Sequence, residues 1–211
     1  GDYQIIQFHP SYSYEDFVRS ISSETKDGKL NYTIKNKILL EFIEKALKQK
    51  KSNFVLVIDE INRANLPSVL GELIYALEYR EKTVKGLYKI EDTEDIYELK
   101  DYDIVIPNNI YIIGTMNTAD RSVGHIDYAI RRRFAFVDVL PKVLNDVPFE
   151  KALFEEVSKF FVENINDKPL KRSEHLSSEF NPKDVWLGHS YFIKKEGVES
   201  SIRLEYEIKP I

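Results

Sequence analysis

The sequence predicts an α/β protein, a mostly parallel sheet flanked by helices, followed by a smaller helical domain. Three observations carry that expectation. Short β-type runs alternate with helical patterns as far as Pro141. One of those runs, FVLVI at 54–58, is apolar without interruption, as suits a strand covered on both faces. Beyond Pro141 the strands give way to longer helical patterns, beginning with FEKALFEEVSKFFVENIN at 149–166.

Each element follows from its own pattern. YQIIQF (3–8) reads as the first strand, and SYEDFVRSI (13–21) as a short helix with Ser13 as its N-cap. From 36 to 48 the residues Ile38, Leu39, Phe42, Ile43, Ala46 and Leu47 recur at helical spacing. After a basic turn come the strand 54–58 and then a helix over 66–80, with Pro67 tolerated in its first turn. Residues 82–103 are polar and β-leaning, the pattern of a surface hairpin or insertion. Strands follow at 103–106 and 110–115, a helix at about 123–132, and a last strand, FAFVDV, at 134–139. The remainder reads as helical apart from VWLGHSYFI at 185–193, with a domain boundary near 141–148. Neither internal repeats nor low-complexity segments occur.

Composition narrows the function classes. The 211 residues are 43% hydrophobic and 31% charged, enough to bury a substantial core. A net charge of −5 argues against a dedicated nucleic-acid binder. With no cysteine there is neither a disulfide framework nor a Cys-based zinc site. No apolar run approaches the roughly 20 residues that span a bilayer, and a signal-peptide pattern is lacking. The expectation is a soluble, cytoplasmic protein without membrane association.

Three stretches carry chemistry. In FVLVIDEINRA (54–64), two carboxylates directly follow an apolar strand, and parallel sheets gather ligands at the carboxyl ends of their strands. Asp59 there suits Mg²⁺, held through a water, and Glu60 suits activation of an attacking water. The competing reading is a loop-capping Asp59 and a solvated Glu60. In IGTMNTADR (113–121), an amide at the end of a neighbouring strand orients a water by donating and accepting together, which fits Asn117. Asp120 and Arg121 pair with each other or reach a phosphate or an adjacent subunit. An ordinary Asn/Asp turn is the alternative. In AIRRRF (129–134), guanidinium groups at a helix end suit charge stabilisation on a transferring phosphoryl group. Cations placed at a helix C-terminus, or a small nucleic-acid patch, compete with that reading. Three consecutive arginines point in different directions, so at most two of them reach one site.

This order of features on one sheet resembles the AAA+ nucleotide-hydrolysing domains, with their Walker B, sensor 1 and arginine-finger motifs. DEINRA also fits the MoxR branch, an ATPase alternative. GTMNTADRSVGHIDYAIRRRFAF and LGHSYF are similar to the McrB family, the motor subunit of modified-cytosine restriction systems, from about residue 8 to 211. The resemblance implies that Asp59 and Glu60 are the Walker B pair, with Asp59 holding Mg²⁺. It implies that Asn117 is sensor 1, that Asp120 and Arg121 belong to the nucleotide signature, and that Arg132 and Arg133 are the arginine-finger candidates. It further implies GTP, less readily ATP, as substrate, a hexameric ring and an McrC-like endonuclease partner. DNA would be read by a separate N-terminal domain outside this chain. On that view residues 1–144 form the large α/β subdomain without its N-terminal P-loop part, and 145–211 an incomplete helical lid.

No G-x-x-x-x-G-K-[ST] run occurs in these residues, so the backbone cradle and lysine for the phosphates are lacking. A fragment cut downstream of that loop is expected, rather than a divergent member that lost it, and the fragment alone is expected to be inactive. Two other function classes compete with this reading. Asp95 with Glu98–Lys100 faintly resembles a metal-nuclease core but lacks an apolar strand around it, and a catalytically dead AAA+ scaffold would keep only the assembly role. His9, His125, His175 and His189 show no metal-ligand spacing. Arg203 reads as a lid arginine near phosphate or as a surface helix residue, and Trp186 as packing.

Overall fold

The fold of this chain, taken from a computed structural model, is described for residues 1–26, 28–89, 103–117 and 126–208. It divides into two compact units, Gly1–Phe136 and Val137–Ile211. The first unit is organised by a parallel three-stranded sheet in the order β1 (Asp2–Gln7), β4 (Phe54–Asp59), β7 (Ile110–Gly114). The register pairs Gln7 with Asp59 and Ile58 with Gly114, so three strands deliver their carboxyl ends to one edge.

Alternation along β4 explains how the sheet is held. Phe54, Leu56 and Ile58 are buried and join Leu39, Phe42, Ile43 and Ala46 of α2 (Ile38–Lys48) in the core of this unit. Val55 and Val57 point to the other face, which stays partly open: Tyr3 is 70% and Ile113 52% exposed on the strands beside them. Cover on both faces of 54–58 is therefore not what the described residues show; only one face is closed. At the far end of the sheet, the Asn109 amide donates to the carbonyls of Ala46 and Ser52 at 3.0 and 2.9 Å, tying the end of α2 to the start of β7.

Several predicted elements are shorter or of another type. The helix expected at 13–21 is only α1 (Tyr14–Phe17), begun by Asp16, whose carboxylate accepts from the Ser13 N–H and hydroxyl at 3.0 and 2.9 Å. The Ser- and Thr-rich residues after it form β2 (Arg19–Lys26), paired antiparallel with β3 (Lys29–Asn36). Arg19 is buried at the base of that hairpin and donates to Asn36 Oδ1 and to the Tyr88 and Asp103 carbonyls. The helix expected at 66–80 is two, α3 (Leu66–Leu70) and α4 (Leu73–Glu78), interrupted at Gly71, whose φ of +50° lies in the left-handed region.

Strand 103–106 shrinks to β6 (Asp103–Ile104) and pairs antiparallel with β5 (Val84–Lys85), apart from the parallel sheet. Residues 90–102 between them lie outside the described residues. The helix expected at about 123–132 starts later, as α5 (Tyr128–Arg131), with Asp127 as its N-cap, accepting from the Ala129 N–H at 2.9 Å; residues 118–125 lie outside the described residues. No strand forms at 134–139: Val137 and Val139 are 82% and 84% exposed, because strand propensity is realised only beside a partner.

In the second unit, the helix expected at 149–166 is α6 (Lys151–Ser158). It stops where the chain turns back on itself, with Val162 bridging Arg172 and the Ser173 hydroxyl donating to the Lys159 carbonyl. The rest is mostly turns around α7 (Pro182–Val185), a 3₁₀ turn at His189–Phe192, α8 (Ser200–Arg203) and a π turn at Leu204–Ile208. Its core gathers Phe154, Val162, Trp186, Leu187, Phe192 and Ile208. Among the described residues no helix is long and apolar enough to cross a membrane.

Candidate functional site

The site is built where β4 and β7 end side by side. Asp59 closes β4, and Glu60 leaves the strand in the left-handed conformation (φ 53°, ψ 44°), which a non-glycine residue adopts at a cost. That reversal starts a 3₁₀ turn, Ile61–Arg63, and sets Glu60 3.4 Å from the Arg63 guanidinium. Gly114 makes the approach of the two ends feasible: a Cβ there would stand 2.9 Å from Cδ1 of the buried Ile61.

Thr115, the first residue beyond β7, contacts four consecutive residues of the β4 end. Its N–H donates to the Ile58 carbonyl at 3.0 Å and its hydroxyl to Asp59 Oδ1 at 2.5 Å. The Glu60 N–H donates to Thr115 Oγ1 at 3.3 Å, and the Ile61 N–H to its carbonyl at 2.9 Å. The other oxygen of Asp59, Oδ2, accepts from Gln7 Nε2 at 3.4 Å. Asn62, 8% exposed, donates from Nδ2 to the Asn117 carbonyl at 3.3 Å, although the two are 55 positions apart in sequence. Its Oδ1 is buried with no hydrogen-bond partner among the described residues. Asp59, Glu60 and Asn117 thus share one edge of the sheet.

The arginines at the end of α5 have different contacts. Arg133 is spent inside its own unit: Nε donates to the Ile74 carbonyl at 2.5 Å, one terminal nitrogen to the Ala129 carbonyl at 2.5 Å, and the other pairs with Glu78 at 2.5 Å. Arg132 is exposed, its guanidinium 5.6 Å from the centre of the Tyr128 ring, and Arg131 lies 5.1 Å from that of Phe136. Asp120 and Arg121 lie outside the described residues, as do His125, Asp95 and Glu98–Lys100.

In the second unit, Arg203 is 4% exposed rather than a surface residue. Its terminal nitrogens donate to the Tyr191 and Ile193 carbonyls and its Nε to Glu207, which clamps the segment behind LGHSYF. Trp186 is buried, its ring stacked on Phe154 and its indole N–H donating to Ser158 Oγ at 3.0 Å. Among the described residues no group of three or more His, Asp or Glu is arranged to hold a metal ion.

Thr115, Asn62 and Gln7 escaped the sequence reading. Thr115 had a signal, a hydroxyl directly after a strand and two residues before Asn117. Asn62 and Gln7 had none, because their role depends on strand register.

Residues 1–134 match the AAA domain family, dynein-related subfamily. The chain is 37% identical over 196 residues to the type IV methyl-directed restriction enzyme EcoKMcrB subunit of Escherichia coli K12, covering 89% of this chain and 40% of that protein. It is 32% identical over 146 residues to the type II restriction enzyme BsuMI component YdiS of Bacillus subtilis 168, covering 64% of this chain and 42% of that protein. A solved structure from Cytophaga hutchinsonii shares 18% identity at a TM-score of 0.37, too slight a likeness to bear on the fold. The chain thus spans about two fifths of the length of the curated relatives it matches. It belongs to the AAA domain family, dynein-related subfamily, and is an McrB-like member of it.

Proposed function

We propose that this chain is the hydrolytic part of an AAA+ motor of an McrBC-like restriction system, turning over GTP in preference to ATP. The full-length protein assembles as a cytoplasmic hexameric ring, drives DNA translocation and activates an McrC-like endonuclease, while a separate N-terminal domain reads DNA. One observation carries the reading: the adjacent pair Asp59 and Glu60 and the sequence-distant Asn117 converge on the carboxyl edge of a parallel sheet, where such sheets bind ligands.

The roles follow from the chemistry of each group. Glu60 accepts the proton of the attacking water, and the Asn117 amide orients that water by donating and accepting at once. The donor set at Asp59 fits Mg²⁺, which takes hard oxygen ligands and is commonly held by one or two carboxylates together with substrate phosphates. Asp59 would hold it through a water, and when bound it would supply charge neutralisation on the phosphates. Asp120 and Arg121 are assigned to nucleotide binding through the family signature. Of the finger candidates, Arg132 is favoured to act on the nucleotide of an adjacent protomer, since the donors of Arg133 are engaged at home.

The test is hydrolysis of GTP and ATP by the full-length protein, with and without its partner subunit. Glu60→Gln should retain nucleotide binding and lose turnover; sustained hydrolysis in that variant removes Glu60 from its role. The 211-residue chain itself has no G-x-x-x-x-G-K-[ST] run and is expected to bind nucleotide weakly at best. A calorimetric affinity in the micromolar range would overturn that expectation.

A further inference from the structure

We propose that Thr115 is a positioning residue for hydrolysis, the part that fixes the aim of Asp59 and Glu60 from the neighbouring strand. The inference rests on the reading of those two carboxylates given above and adds a residue to it. Four hydrogen bonds from one threonine to Ile58, Asp59, Glu60 and Ile61 make it the template on which the end of β4 is shaped.

The hydroxyl is the informative part. It has a single proton, and that proton goes to Asp59 Oδ1 at 2.5 Å, while its lone pairs face the Glu60 N–H at 3.3 Å. A carboxylate turns freely about its last bond unless one oxygen is held. With Oδ1 held by Thr115, and Oδ2 at 3.4 Å from Gln7 Nε2, the plane of the Asp59 carboxylate is fixed, and lone pairs of both oxygens remain for a bound water. Thr115 Oγ1 also receives the N–H of Glu60, the residue in the left-handed conformation, so it supports the turn that takes Glu60 out of the strand direction. The two main-chain bonds survive any side chain at 115; the hydroxyl bonds do not.

The experiment compares Thr115→Val, which keeps the shape and loses the hydroxyl, with Thr115→Ser, which keeps the hydroxyl, in the full-length protein. Small misplacements of catalytic groups cost up to about 100-fold. Thr115→Val should therefore lower kcat by roughly 10- to 100-fold, leave nucleotide affinity within about twofold, and raise the Mg²⁺ concentration needed for half-maximal rate. Thr115→Ser should recover most of the rate. A kcat for Thr115→Val within about twofold of wild type overturns the proposal, as does a serine variant as slow as the valine one. Loss of nucleotide binding together with rate in Thr115→Val overturns it too, since the residue would then serve the fold rather than the aim. Glu60→Gln in the same assay separates the two claims. If it remains active, the reading of the carboxylates fails; if it is dead while Thr115→Val is active, only Thr115 fails.

Discussion

The carboxyl edge of the parallel sheet and the surroundings of Arg203 are both dense in polar contacts, yet they use them differently. At the sheet edge, one threonine and one asparagine organise the turn, while Asp59 and Glu60 remain only partly buried. Around Arg203 the guanidinium is buried and its donors are taken by the Tyr191 and Ile193 carbonyls and Glu207. Arg133 repeats the second pattern within the first unit. A charged residue beside a motif is therefore not informative by its charge. What separates a structural group from a reactive one is whether main-chain carbonyls consume its hydrogen bonds.

Substitutions can break that distinction, and the largest effect is expected at Arg132. In the proposed ring, Arg132→Ala should lower kcat by about 10³-fold or more with the thermal transition unchanged, if Arg132 acts as the arginine finger; hydrolysis near the wild-type rate would return that proposed role to another arginine. Glu60→Gln should cost about 10²- to 10⁴-fold in kcat at preserved nucleotide affinity. Arg203→Met should act on stability instead, lowering it by about 3 kcal/mol in calorimetry because several charge-assisted bonds are lost together. A melting profile unaltered by that change would put Arg203 outside the scaffold. Gly114→Ala should cost about 1–3 kcal/mol, since the new methyl displaces Ile61. A variant as stable as wild type would show that Ile61 yields without strain.

The smallest effect concerns pH. Burial first, then the hydrogen bond to Glu72 at 2.6 Å, push the Tyr14 phenol above the usual tyrosine range. The folded state thus favours the neutral phenol. Its contribution is full below about pH 10 and declines as pH rises beyond the unfolded tyrosine value. Denaturation midpoints measured from pH 8 to 11 should fall more steeply for wild type than for Tyr14→Phe; parallel slopes would remove Tyr14 from that account.

What the sequence made legible follows the same division. Strands 2–7, 54–59 and 110–114 announce themselves as short apolar runs, and the helix 38–48 by apolar residues that recur at helical spacing and are buried. The placement of Asp59, Glu60 and Asn117 at one sheet edge was legible for a related reason, as polar groups that follow apolar strands. The β2–β3 hairpin was not: Ser-rich β2 has Ile21 as its one large apolar residue, and although Leu30, Tyr32 and Ile34 alternate along β3, Leu30 and Tyr32 stay exposed rather than joining the core. FAFVDV misled in the opposite sense, with strand propensity but no neighbour to pair with. The fate of each arginine was invisible as well, because it depends on carbonyls brought near by folding, such as Ile74 for Arg133.

The left-handed backbone at Glu60 has an evolutionary consequence. Glycine, or asparagine, would occupy that conformation with less strain, by about 1 kcal/mol, while removing the carboxylate. On the role proposed for Glu60, a library selected only for folding or thermal tolerance should therefore drift toward inactive sequences at this codon. Glutamate should persist only where turnover itself is under selection.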